Sequence, residues 1–163
     1  MSRSGYNDDC DGEGYPLALW RGTIANATRG KRGQRFFRDL VAALDEMPVK
    51  RLIAKELQTP EGDVCALGCL GKKRGVDLSD LDVEEMADNY DFLGRTFDIA
   101  SQLSQEVMYI NDEASRKPLR REGMRWVQEE ETPEERWTRV RAWAARQIRP
   151  TEDELVTAPE ATP

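Results

Sequence analysis

Histidine is absent from all 163 residues. That absence removes the usual general base near neutral pH, every Ser–His and Cys–His dyad, and most zinc sites. An enzyme built from this chain would have to work with carboxylates, lysine, tyrosine or cysteine. Cysteine is scarce too. Three residues, an odd number, argue against a secreted disulfide framework and fit a reducing compartment. No apolar run approaches the roughly 20 residues of a membrane span. The polar opening MSRSGYNDDCDGEG does not read as a secretory leader. Together these absences point to a cytoplasmic protein with no membrane segment, no metal site and no cofactor motif.

What is present is charge. Charged residues make up 34% of the chain and hydrophobic ones 39%, the balance of an ordinary globular domain with a core of its own. The net charge of −7 predicts general repulsion from nucleic acid unless the basic residues cluster.

Helical spacing dominates the middle of the chain. After a polar, acidic arm at 1–14, Pro16 suits a first helical position, and Leu17, Trp20, Ile24 and Ala27 follow on one face. GKRG at 30–33 reads as a break, with a second helix beginning near Gly33. Its wide apolar face holds Phe36, Phe37, Leu40, Val41, Leu44 and Met47, and Pro48 ends it. Residues 49–61 read either as a short helix, the preferred choice, or as one arm of a β-hairpin near 52–67 that turns at TPEGD. The segment 76–91 carries seven acids and no base. Within it Asp82 and Glu85 resemble a capping box, and Val83, Met86, Tyr90 and Leu93 line a face. A further helix is expected at about 98–110, closed by Asn111-Asp112-Glu113, and then a basic connection over 114–125. Thr132-Pro133-Glu134-Glu135 is a clear helix start, with Trp137, Val140, Ala144 and Ile148 as its stripe and Pro150 as its stop. The tail from 150 to 163 is acidic and proline-containing, a composition that predicts disorder. The expected fold is mainly α: one domain over 15–149, with five or six helices.

Candidate sites are few. In GDVCALGCLGKKRG, residues 62–75, Cys65 and Cys69 lie one helical turn apart, but structural zinc wants four ligands and only Cys10 remains as a third sulfur. A phosphate loop fails because Lys73 stands where Ser or Thr should follow Gly71-Lys72, and Ala66 stands where the first glycine should be. The remaining reading is a buried helix, with Gly68 and Gly71 letting another helix approach closely. Lys72, Lys73 and Arg74 then complement the dipole at its carboxyl end. A second basic cluster, Arg29, Lys31, Arg32 and Arg35 with Arg38, leads into a helix N-terminus. It reads as an anion or nucleic-acid contact, or as a solvated turn paired with the acids of 77–91. Asp112 and Glu113 are adjacent carboxylates, either acid–base groups or a polar helix end. Trp126 and Trp143 lie off the core stripes. They are either exposed anchors for a partner or packing between the loop and the last helix.

The stretch from GKRGQRFFRDLVAALDEMP through GDVCALGCLGKKRG, then YINDE, then ETPEERWTRVRAW, resembles a family of small uncharacterised proteins from phages and prophages. The resemblance covers nearly the whole chain apart from the tail. It implies a phage-related protein in the cytoplasm of a bacterial host and carries over no catalytic or binding residues. With no catalytic constellation legible, the leading expectation is a non-enzymatic accessory protein that binds a host or phage protein. The alternatives are a nucleic-acid binder using the turns at 29–38 and 72–74, and a carboxylate enzyme at Asp112 and Glu113.

Overall fold

The computed structural model describes residues 17–78, 81, 86–115 and 117–151. Six helices and one two-stranded hairpin lie among them: α1 Leu17–Arg29, α2 Lys31–Glu46, α3 Ala66–Lys73, α4 Met86–Phe97, α5 Ser101–Asp112, β1 Leu119–Glu122, β2 Arg125–Gln128 and α6 Pro133–Gln147. The mainly α expectation holds. None of the described helices is long and apolar enough to cross a membrane. The arm at 1–14, Cys10, the Asp82–Glu85 capping box and all but the first two residues of the tail lie outside the described residues.

Helix α2 organises the core because its apolar face is wide enough to meet neighbours on several sides. Phe36, Phe37, Leu40, Ala43 and Leu44 are all buried. Phe36 stands edge-on to Phe37 at 5.3 Å and to Phe97 of α4 at 6.3 Å, while Phe37 meets Trp143 of α6 edge-on at 5.4 Å. The centroid distances fall in the range that aromatic quadrupoles favour. The helix begins at Lys31, two residues before the expected Gly33, with Gly30 as its N-cap.

The segment after α2 corrects the sequence reading. The preferred helix over 49–61 does not form, and neither does a full hairpin. Lys55 has φ 75, a left-handed conformation that no helix interior accepts. The backbone bonds instead run to distant partners: Leu52 N–H to the Pro133 carbonyl at 3.0 Å, and Ile53 N–H to the Val64 carbonyl at 3.0 Å. A single antiparallel bridge joins Gln58 to Val64 around the turn at 59–62, so only this fragment of the hairpin alternative exists. Leu52 and Leu57 are completely buried, and tertiary packing of these two side chains overrides local propensity.

Helix α3 is buried along nearly its whole length, as its composition predicts. The segments that face its two glycines are not helices, however. A Cβ at Gly68 would lie 1.9 Å from the Leu57 carbonyl oxygen, and one at Gly71 would lie 2.7 Å from the Leu78 side chain. Glycine is needed at these two positions because irregular segments, not a helix, rest on them.

The other surprise is the connection over 114–125, which folds into β1 and continues into β2. The pair is antiparallel, with Arg121 opposite Trp126 and Glu122 opposite Arg125. Gly123 and Met124 form a two-residue turn, and Gly123 has the φ of 61 that hairpin turns of this length demand. Helix α6 then starts as expected. Thr132 Oγ1 accepts from Glu135 N–H at 3.2 Å, and a Glu135 carboxylate oxygen accepts from Thr132 N–H at 2.9 Å.

Candidate functional site

The hairpin is the most exposed ordered element. Every residue of β1 is exposed. Met124 at the tip is 96% exposed, Trp126 67%, Leu119 60% and Val127 41%. Cross-strand partners share a face, so Leu119, Arg121 and Trp126 lie on one side of the ribbon, and Arg120, Glu122, Arg125 and Val127 on the other. Neither side is covered. A lone two-stranded hairpin is marginal in water. Its attachment lies at its base, where Lys117 Nζ bonds a Glu135 oxygen at 2.6 Å and Glu129 N–H bonds the Pro118 carbonyl at 3.3 Å. Just beyond, Glu131 is almost fully buried, paired by Arg139 at 2.6 Å and Arg136 at 3.4 Å. The ribbon therefore stands on a fixed root.

The two tryptophans off the stripes part company. Trp126 is presented to solvent. Trp143 is half-buried against Phe37 and belongs to the packing of α6 on α2, so it is no exposed anchor. It lies one residue before the buried Ala144 and three after the buried Val140, which places it on the same broad face.

The basic cluster at α2 also divides. Arg29, Lys31, Arg32 and Arg35 are all exposed. Arg32 pairs with Asp98 at 3.1 Å, just past the acidic stretch with which the turn was expected to pair. Lys31 and Arg35 have no acidic partner among the described residues. The second cluster is tied down: Lys72 Nζ to the Gly62 carbonyl at 3.3 Å, Lys73 to Glu46 at 2.8 Å, and Arg74 to Asp39 at 2.7 Å, with its guanidinium 5.6 Å from the Phe97 ring centre. Both clusters flank α2, but carboxylates stand between them, since Asp39 follows Arg35 by one helical turn. A cleft of about 580 Å³ opens beside Lys72 and Lys73, with Met47, Val64 and Cys69 on its apolar side.

Cys65 and Cys69 are free and buried. Burial pushes the Cys65 thiol up to about 12 and Cys69 up to about 11, far from the thiolate a nucleophile or metal ligand needs. Cys65 instead caps α3, its sulfur accepting from Gly68 N–H at 3.4 Å.

Asp112 and Glu113 close α5, and their neighbour Asn111 carries more of the structure than either. The fully buried Asn111 side chain accepts from Ala66 N–H at 3.1 Å and donates to the Ile53 carbonyl at 2.9 Å and to an Asp112 oxygen at 2.7 Å. It ties α5 to the start of α3 and to the irregular segment. Burial holds the Asp112 carboxyl above the ordinary aspartate range, although its bonds to Asn111 and to the Lys55 backbone pull the other way. Neither Asp112 nor Glu113 lines any of three clefts found among the described residues. What this constellation does chemically is hold three segments together.

Sequence reasoning missed the hairpin. Its signal was the Gly123-Met124 pair between two short runs, the Gly-first pattern of a two-residue hairpin loop. The polar, arginine-rich character of those runs hid it. No protein-family model, no curated protein and no solved structure matches the chain.

Proposed function

We propose that the protein acts by binding another protein rather than by catalysis, with the β1–β2 hairpin as its contact element. The observation that carries this reading is the bare ribbon, whose Leu119, Met124 and Trp126 are each at least 60% exposed on a rigid root. Exposed apolar residues gathered on one element mark interaction surfaces, and tryptophan and methionine are enriched there. Arg120, Arg121 and Arg125 surround these residues against one acid, Glu122. The partner this fits is a protein with an apolar patch rimmed by acidic residues. The resemblance read in the sequence adds the setting: an accessory protein of a phage or prophage in the cytoplasm of its bacterial host, with a host or phage protein as partner.

The test is capture from nuclease-treated host lysate by the tagged chain and by the Trp126→Ala/Met124→Ala double variant. A stoichiometric protein retained by the parent and lost by the variant supports the reading. Equal capture by both removes the hairpin as the contact.

A second reading has one observation in its favour. The exposed Lys31 and Arg35 have no acidic partner among the described residues. Nucleic-acid binding through them would weaken steeply with salt. Salt-insensitive or absent retention of nucleic acid removes it.

A further inference from the structure

One cleft differs from the rest of the surface. It encloses about 380 Å³ between α1, α5 and the end of α6, and is lined by Arg21, Arg29, Arg146 and Arg149, with Glu106 as its one acid. Several arginines elsewhere are matched to acids: Arg32 to Asp98, Arg51 to Asp63, Arg74 to Asp39 and Arg141 to Asp45. The guanidinium groups of Arg29, Arg146 and Arg149 have no acidic partner among the described residues. Helix dipoles account for part of this, because Arg29 and Arg146 lie in the last turns of α1 and α6. About half a charge at each helix end does not call for these three cations, and gathering them is repulsive.

The cleft is also held in place. The Gln34 amide donates to the Thr28 carbonyl of α1 at 2.9 Å and to the Gln147 carbonyl of α6 at 2.8 Å, and it accepts from Arg149 N–H at 2.7 Å. Arg38 donates to the Arg149 carbonyl at 2.6 Å. One side chain of α2 thus fixes the separation of the two helix ends, so the cleft needs little reorganisation to receive a ligand. On α5, the Glu106 Oε2 atom is buried and has no hydrogen-bond partner. Such an atom in a cleft wall asks for a donor. Guanidinium forks match phosphate oxygens in pairs, and the volume suits a small molecule.

We propose that this cleft binds a small molecule carrying two or more phosphate charges and a hydroxyl or amine donor, the donor meeting Glu106. The site is separate from the hairpin, which joins the other end of α6. The helix has 15 residues, so roughly 20 Å of helix lies between them.

Isothermal titration of the full chain with sodium pyrophosphate, and separately with ATP, at constant ionic strength tests this. Saturable binding at one site is expected, weakened at least tenfold in Arg146→Ala/Arg149→Ala and in the independent variant Arg29→Ala. Arg120→Ala/Arg121→Ala on the hairpin should leave it unchanged. Glu106→Gln should tighten pyrophosphate severalfold and erase any advantage of ATP over pyrophosphate. An ATP advantage in the parent assigns the donor to a nucleoside, and equal binding restricts recognition to the phosphates. Absence of saturable heat with both probes, tighter binding of citrate than of pyrophosphate, or full binding by both arginine variants overturns the proposal.

Discussion

Two stretches leave the helical pattern, and they do so in opposite ways. The segment 49–64 has almost no regular structure, yet Leu52 and Leu57 are completely buried and its backbone bonds reach Pro133 and Cys65. The hairpin at 119–128 has a regular ladder, yet it exposes both faces. Regular hydrogen bonding and structural integration are therefore separate properties here. The irregular segment is part of the core and holds α3 and α6 in place. The regular one satisfies its own backbone, and the side-chain bonds it makes, Arg120 to Glu122 and Arg121 to the Gly123 carbonyl, stay within the ribbon.

The comparison breaks most directly at Leu57. Leu57→Ala should destabilise the fold by about 2–5 kcal/mol, since the site lies between the turn and α3 and collapses poorly. Urea unfolding followed by circular dichroism reads this. A loss under about 1 kcal/mol would mean that the segment is as dispensable as the hairpin. Gly68→Ala comes next. Its new Cβ would meet the Leu57 carbonyl, a backbone atom that cannot turn away, so overpacking of about 1–3 kcal/mol is expected from the same melts.

The buried thiols sharpen the same contrast through pH. Unfolded cysteine ionises near its ordinary value of 9.0, whereas folded Cys69 and Cys65 keep their protons to about 11 and about 12. Above pH 9 the unfolded state therefore releases protons that the folded state retains. The stabilisation is fully present below pH 9 and is lost as pH rises through the folded values. The slope approaches about 1.4 kcal/mol per pH unit for each thiol. Urea melts at pH 8 and pH 10 should show the fall, and Cys69→Ala should make it shallower. A pH-independent stability over this range would mean that α3 is open to solvent.

These elements were unequally legible in the sequence. Helices with a one-sided apolar pattern or a capping box, α2 and α6 above all, could be read from local spacing, because local spacing is what forms them. The path of 49–64 could not. Its conformation is set by partners as remote as Pro133, and the left-handed Lys55 leaves no mark that residue type reveals. Asn111 read as a helix-ending polar residue, and only the folded chain shows it bonded to both α3 and Ile53. Trp143 was ambiguous because a broad helix face blurs the edge between core and surface. The arginine cleft had no local signal, since Arg29 and Arg146 come together only through the packing of α1 and α6 on α2.

The smallest expected effect on stability is the most telling. Trp126→Ala removes a large aromatic side chain, yet one that is 67% exposed and makes no ring-stacking or cation–π contact among the described residues. Its direct opposite is Arg121, itself exposed. Surface substitutions away from caps and buried networks usually change stability by less than about 0.5 kcal/mol. The melt of this variant should overlay that of the parent. On the proposed contact role, the loss of this exposed tryptophan should appear in partner capture alone. Destabilisation of about 2 kcal/mol or more would reverse the contrast. The hairpin would then be a packed part of the fold, and the basis for treating it as the contact element would be gone.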